Sequence, residues 1–148
     1  MLPDSIELII VTPERQLLRE AVVEVTLPGA EGQLGVLPGH APLITELGIG
    51  ELSFETKGSS ESVPVAVISG FAEILGDRVT VLAETAERPE EIDISRAEEA
   101  KKRAEQRLAA AAASDSNIDW GRAAVALQRS LIRIQVARKG HSVRVSGG

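Results

Sequence analysis

Over residues 6 to 83 apolar side chains recur at every second position. Val23, Val25 and Leu27 alternate with Glu24 and Thr26, and Leu52 and Phe54 stand between Glu51, Ser53 and Glu55. Successive side chains of a strand point to opposite faces of its sheet, so this period predicts half-buried strands. Turn signals interrupt it at Thr12-Pro13, Pro28-Gly29, Pro38-Gly39, Gly48 to Gly50, Gly58-Ser59-Ser60 and Gly76-Asp77. The last has glycine first, as a two-residue hairpin loop requires. Short strands at such spacing predict an all-β sandwich or flattened barrel of roughly eight to ten strands.

After Arg88-Pro89 the period becomes helical, with Ile94, Ala97, Ala100, Ala104, Leu108 and Ala111 three or four apart. Asp93 can cap this helix, and Ser95 with Glu98 offers a second start two residues later. Ser114-Asp115-Ser116-Asn117 breaks the pattern. A second helix follows, with Ala123, Leu127, Leu131 and Ile134 on one face and Asn117 or Asp119 as its cap. The expected organisation is a β-sandwich over residues 1–87, an antiparallel two-helix hairpin over 88–139 and a tail over 140–148, where Gly140, Gly147 and Gly148 predict fraying. The hairpin seam is mostly alanine. A buried methyl stabilises by about 0.8 kcal/mol against about 1.5–3 for leucine, so the hairpin packs closely but weakly and is a candidate moving element.

Composition narrows the function. With 148 residues, 43% hydrophobic and 26% charged, the chain has the balance of a folded globular protein. Residues 1 to 90 carry 15 acids against 5 bases, and residues 91 to 148 carry 7 against 11, so the two parts are suited to different partners. Phe54, Phe71 and Trp120 are the only aromatics, too few to stack nucleic-acid bases or sugars. Without cysteine there is no disulfide, thiol catalysis or cysteine-ligated metal. No signal sequence or membrane-spanning run is apparent, so membrane association is expected through a protein partner.

Catalytic signatures are missing. There is no phosphate-binding Gly-x-x-x-x-Gly-Lys loop and no Gly-x-Ser-x-Gly elbow, and Glu31 with His40 lacks a third group to organise an acid–base pair. His40 and His141 have no metal-type spacing. Asp115-x-Asn117-x-Asp119 begins like a calcium loop, but Trp120 and Ala126 stand where glycine and glutamate are required. An independent enzyme is not expected. The glycine-rich segment 28–40 reads either as a tight inter-strand loop or as a protein contact surface bearing Glu31, Gln33 and His40. Arg96, Arg103, Arg129 and Arg133 read as solvated charges, as a polyphosphate site if the helix faces converge, or as a surface for an acidic protein.

These residues resemble the epsilon-subunit family of bacterial and chloroplast rotary ATP synthases, the counterpart of mitochondrial delta. The resemblance lies in Leu27-Pro28-Gly29 through Glu31-Gly32, in Leu34-Gly35-Val36-Leu37-Pro38-Gly39-His40-Ala41-Pro42-Leu43, and in Ser69-Gly70-Phe71. It continues in Val79-Thr80-Val81-Leu82-Ala83-Glu84-Thr85-Ala86, Ile92-Asp93 with Arg96-Ala97, and Asp119-Trp120. It implies a non-catalytic rotor subunit of the central stalk, peripheral on the cytoplasmic face of the bacterial membrane (the stromal face of the thylakoid in a plastid). In that family the sandwich joins the gamma subunit to the c-ring, with Glu31, Gln33 and His40 at the c-ring contact. Gln33 departs from the acidic residue usual there. The resemblance further implies a hairpin that extends into the alpha/beta catalytic head and hinders ATP hydrolysis, through Arg122, Arg129, Arg133, Arg138 and Lys139. No cofactor is required. Regulatory ATP on the compact hairpin is implied at Glu87, Ile92, Asp93, Arg96, Ala97, Arg103, Arg129 and Arg133. The alternative from another class is an independent β-sandwich adaptor.

Overall fold

The computed structural model describes residues 3–113 and 117–146, with side chains up to residue 142. The expected break at Ser114-Asp115-Ser116, and with it the start of the calcium-loop imitation, lies outside the described residues. Six strands come first: β1 (Ile6–Val11), β2 (Gln16–Gly29), β3 (Gly32–Val36), β4 (Leu43–Thr56), β5 (Ser62–Leu75) and β6 (Arg78–Glu87). A 3-10 turn (Pro89–Glu91) leads to α1 (Ile94–Ala112) and α2 (Trp120–Ser146). The sheet runs β1-β6-β5-β4-β2-β3, and a β1–β2 pairing closes it on itself. Only β1 and β6 pair in parallel. Strand β2 spans the closure, since its first half pairs with β1 and its second half with β3 and β4. Leu8, Ile10, Val22, Val25, Leu27, Leu52, Val65, Val67, Val79 and Val81 fill the interior completely buried.

The described residues form six strands where sequence spacing predicts eight to ten. Three of the six are 14 residues long, because the break expected at Gly48 to Gly50 is a bend within a strand, as is the Ser69-Gly70 pair. Gly48 to Gly50 lies inside β4, where a Cβ on Gly50 would come 2.6 Å from the Pro28 side chain. Inside β5, Ser69 and Gly70 have φ of 55° and 138°. The core-facing set changes parity along all three central strands: from Leu47 to Leu52 in β4, from Val67 to Ala72 in β5, and from Ala83 to Ala86 in β6. Gly48, Ser69 and Glu84 occupy one row at that change, between the rows Leu47–Gly70–Ala83 and Ile49–Ile68–Thr85. A left-handed residue interrupts strict alternation, so the strands curve around the core while keeping apolar side chains inside. The Gly76-Asp77 hairpin forms as expected, with Leu75 paired to Arg78 and Gly76 at φ 59°.

Of the two possible starts for α1, the chain uses the first, because Asp93 Oδ1 accepts the Arg96 backbone N–H at 3.1 Å. Asp119 caps α2 in the same way through Arg122 N–H, also at 3.1 Å. Arg138 Nη2 of α2 meets Glu98 Oε1 of α1 at 2.8 Å, so the late part of α2 lies beside the early part of α1 and the helices are antiparallel. On α1 the seam holds Ala97 and Ala104, as expected. On α2 it holds Ala123, Ser130, Ile134 and Ala137, while Leu131 is 45% exposed. Ser130 replaces the expected Leu131 because the 3.6-residue turn carries the seam from 127 to 130 rather than 131, and the serine hydroxyl is satisfied by Ala126 O at 2.9 Å. Helix α2 continues through Gly140 to Ser146, so residues 140–146 of the expected frayed tail extend the helix, while Gly147 and Gly148 lie outside the described residues. No helix among the described residues is long and apolar enough to cross a membrane.

The connection between sandwich and hairpin is fastened to the sandwich. Arg88 Nη2 donates to Leu17 O at 3.0 Å, Glu91 Oε2 accepts the Arg88 backbone N–H at 2.9 Å, and Arg15 Nη2 meets Glu91 Oε1 at 2.7 Å. Burial works to raise the Glu91 carboxyl, but the Arg88 N–H and the Arg15 guanidinium outweigh it and hold it below its ordinary 4.5. Glu7 is held low chiefly by its hydrogen bond to Arg19, with Arg78 adding to the effect.

Two outcomes follow from this architecture. Gly70→Ala puts a Cβ onto the Leu82 carbonyl at a positive φ, and is expected to cost roughly 2–4 kcal/mol, read as a lower urea midpoint at unchanged slope. Glu7 and Glu91 have folded pKa values below the 4.5 of the free group, so their contribution is complete above that value and is lost as pH falls through the lower folded values. Between about pH 5 and 3 the melting temperature should therefore fall less steeply in the Glu7→Gln/Glu91→Gln chain than in the parent.

Candidate functional site

The outer face of the sheet divides at the Gly48–Ser69–Glu84 row. On one side α2 covers it: Ala66 is buried beneath Ile92, Val136 and Ala137, with Ile132 packed against them. On the other side nothing among the described residues covers it. Phe71 stands beside Leu82 on one flank and Glu46 on the other, and Leu82 beside Val11, in one row across four strands. Phe71 is 57% exposed, Leu82 55% and Ile44 70%. The Ser69-Gly70 bend aims Phe71 outward. Contiguous apolar surface rimmed by carboxylates is uncommon on a solitary globular chain and marks a protein contact.

At the β2–β3 hairpin, Pro28 pairs with Gln33 and Gly29 with Gly32, leaving Ala30 and Glu31 at the tip. Of Gly29, Gly32 and Gly35 only Gly32 has a positive φ, 140°, as the tight reversal requires. Glu31 and Gln33 are exposed and line one groove of about 430 Å³ with Ile44, Thr45 and Glu46. His40 is on the following loop, outside that groove, with its backbone N–H donated to Leu37 O at 3.1 Å and Nδ1 2.6 Å from Ala41 O. The tip brings Glu31 and Gln33 together and leaves His40 on a separate segment.

The hairpin residues divide by role. Ile92 is in the docking cluster, Asp93 caps α1 and Ala97 is in the helix seam, so Arg96 is the exposed member of that motif left without a structural role. Arg96 and Arg103 each precede a seam residue of α1, and Arg129 and Arg133 each precede one of α2. In an antiparallel pair of right-handed helices, positions one before the seam fall on the same side, so the four arginines share one side of the hairpin. Arg133 Nη2 meets Glu87 Oε1 of the sandwich at 2.6 Å there, and Arg133 Nε is buried with no partner among the described residues. Arg107 also precedes a seam position, Leu108, and joins that side. Its spacing of four from Arg103 is the sequence signal that places it there. Arg96, Arg103, Arg107 and Arg129 are exposed with no ion pair among the described residues, so that side carries four uncompensated guanidinium groups beside one paired.

Of the expected inhibitory set, Arg122 and Arg129 are exposed. Arg133 is paired with Glu87, Arg138 with Glu98, and Lys139 Nζ with Glu51 Oε2 at 2.7 Å. Three of the five are thus neutralised by the chain's own carboxylates.

Two family models match consecutive parts of the chain: the ATP synthase delta/epsilon chain beta-sandwich domain over residues 5–89 and the long alpha-helix domain over residues 90–138. The ATP synthase epsilon chain of Koribacter versatilis is 57% identical over 105 residues, covering 71% of this chain and 72% of that one. The epsilon chain of Nitratidesulfovibrio vulgaris strain DP4 is 49% identical over 132 residues, covering 89% and 95%. That of Solibacter usitatus is 46% identical over 138 residues, covering 93% and 99%. A chain in a cryo-EM structure of the Euglena gracilis mitochondrial ATP synthase has the same fold, with a TM-score of 0.77 at 24% identity over 93% of this chain and 84% of that one. Both halves of the sequence, in order and over nearly their whole length, thus match one two-domain pattern, and the chain belongs to the delta/epsilon-chain family of ATP synthases.

Proposed function

We propose that the chain is the epsilon subunit of a rotary ATP synthase, a central-stalk component without bond chemistry of its own, held peripherally at the membrane by its partners. The reading rests above all on the bare apolar face around Phe71 and Leu82, which is large enough to need a partner and is found in a chain whose relatives are ATP synthase epsilon chains. Gamma is assigned to this face. The polar groove at Glu31 and Gln33, with His40 on the adjoining loop, is assigned to the polar loops of the c subunits, and the sandwich thereby couples gamma to the c-ring.

The hairpin is read as a regulator. Leaving the sandwich, α2 would present Arg122, Arg129, Arg133, Arg138 and Lys139 to acidic segments of the catalytic head and hinder ATP hydrolysis. In the compact form, the arginine side of the hairpin offers several guanidinium forks to a triphosphate, whose oxygens they match in geometry and charge. Because Arg129 and Arg133 serve both states, ATP would favour the compact one by its differential affinity.

The primary test is titration calorimetry of the chain against a catalytic head that contains gamma but lacks this subunit. Tight one-to-one binding is expected, with Phe71→Glu/Leu82→Glu weakening it about 100-fold, equivalent to about 2.7 kcal/mol. No binding between folded partners would overturn the stalk reading in favour of an independent adaptor. For the nucleotide, Mg-ATP titrated into the isolated chain should bind saturably, and Arg103→Glu should weaken it at least tenfold while Arg122→Glu leaves it unchanged. Absence of saturation at millimolar ATP would remove nucleotide sensing.

A further inference from the structure

Gly140 sits inside a helix, where glycine costs about 1 kcal/mol relative to alanine. Its position accounts for that cost. A Cβ on Gly140 would overlap the Pro89 ring, so only glycine lets the α2 backbone lie against the connection. Pro89 is itself immobilised, since the Arg88, Glu91 and Arg15 contacts tie residues 88–91 to the sandwich. One residue earlier, Lys139 Nζ reaches Glu51 Oε2 at 2.7 Å. The Glu51 side chain keeps only 15% of its exposure, and its other oxygen, Oε1, is buried with no partner among the described residues. With the helix docked, Lys139 is thus the one cation among the described residues on a largely dehydrated carboxylate. Neither contact involves the arginine side of the hairpin.

We propose that Lys139 and Gly140 form a latch, seated on Glu51 and Pro89, that holds the hairpin compact independently of nucleotide. The latch deepens the regulatory reading above and rests on it for its biological meaning, but its mechanics concern this chain alone. Its two parts act differently. Gly140 against Pro89 is a steric fit, which any side chain at 140 expels. Glu51 with Lys139 is a charge condition. Removing the lysine leaves a dehydrated carboxylate unpaired, and undocking α2 is the way to rehydrate it. Removing the carboxylate's charge abolishes the condition. The effects are therefore asymmetric: Lys139→Gln opens the hairpin, and adding Glu51→Gln to it closes the hairpin again.

The chain has no cysteine, so Ser60→Cys on the β4–β5 turn and Ala109→Cys on α1 provide the only attachment points for two spin labels. Pulsed electron paramagnetic resonance on the labelled full chain, without nucleotide, reads the compact and extended distances. Gly140→Val and Lys139→Gln should each raise the extended population at least tenfold at unchanged far-ultraviolet circular dichroism, and Lys139→Gln/Glu51→Gln should return it to the parental value. Gly140→Ala is the milder steric variant. It improves helix propensity, so opening in that chain comes from the Pro89 contact and not from loss of helix. A parental distance distribution in both Gly140 variants overturns the latch, as does failure of Glu51→Gln to rescue Lys139→Gln. Comparing ATP hydrolysis by the catalytic head with parental and Gly140→Val chains separates the two claims. Opened distances with unchanged hydrolysis count against the inhibitory reading and leave the latch standing.

Discussion

The hairpin rests on the sheet through an apolar contact in which the small Ala66 of β5 meets Ile92, Val136 and Ala137. Alanine on the sheet and alanine on the helix let the two backbones approach, and the branched residues fill what remains. Burying Ile92 and Val136 stabilises by about 1.5–3 kcal/mol each at most, since an unfolded reference overstates the area gained. Moving a two-state equilibrium from 1:99 to 99:1 takes about 5.5 kcal/mol. The docking energy and the energy available from a ligand or partner are thus of the same order. A core with leucines in place of these alanines would fix the helix beyond the reach of such a signal.

Charge adds direction to this weak contact. The excess of acids before residue 90 and of bases after it becomes, in the folded chain, the pairs Glu51–Lys139 and Glu87–Arg133 across the interface. Exposed pairs contribute about 0–1 kcal/mol, and these two are more sheltered on the acid side. Their larger effect is on specificity: a carboxylate already stripped of water tolerates the helix only in the register that brings its cation. The arginines at 96, 103, 107 and 129 have no such partner among the described residues, which leaves their charge available to a polyanion.

The division into strands and then helices was legible because both periods are strong, and Asp93, Asp119 and Gly76-Asp77 do locally what their residue types favour. Strand number was not legible. Gly48 to Gly50 and Ser69-Gly70 carry the composition of turns, yet cross-strand pairing on both sides keeps the backbone extended through them. Hydrophobicity alone favours Leu131 for the helix seam over Ser130, whose hydroxyl is satisfied within the helix. Gly140 carries the local pattern of a fraying signal, and no local pattern reveals that Pro89, 51 positions away, lies against it. The exposed face around Phe71 was equally hidden: which side of an alternating strand faces outward is set by how the sheet closes.

The parity change at the Gly48–Ser69–Glu84 row is what allows one sheet to present two unlike outer surfaces. Beyond Ser69, β5 carries Phe71, Glu73 and Leu75 outward; before it, β5 buries Ala66 under the helix. The small Ala66 falls where a helix must come close, and the bulky Phe71 and Leu75 where no described residue covers them. Had the alternation continued unbroken, Phe71 would point into the core and Ala72 outward, removing the exposed ring and overfilling an interior already packed with Val79 and Val81. The bend therefore serves the core and the outer face together, and only Gly70 passes under the Leu82 carbonyl without a clash.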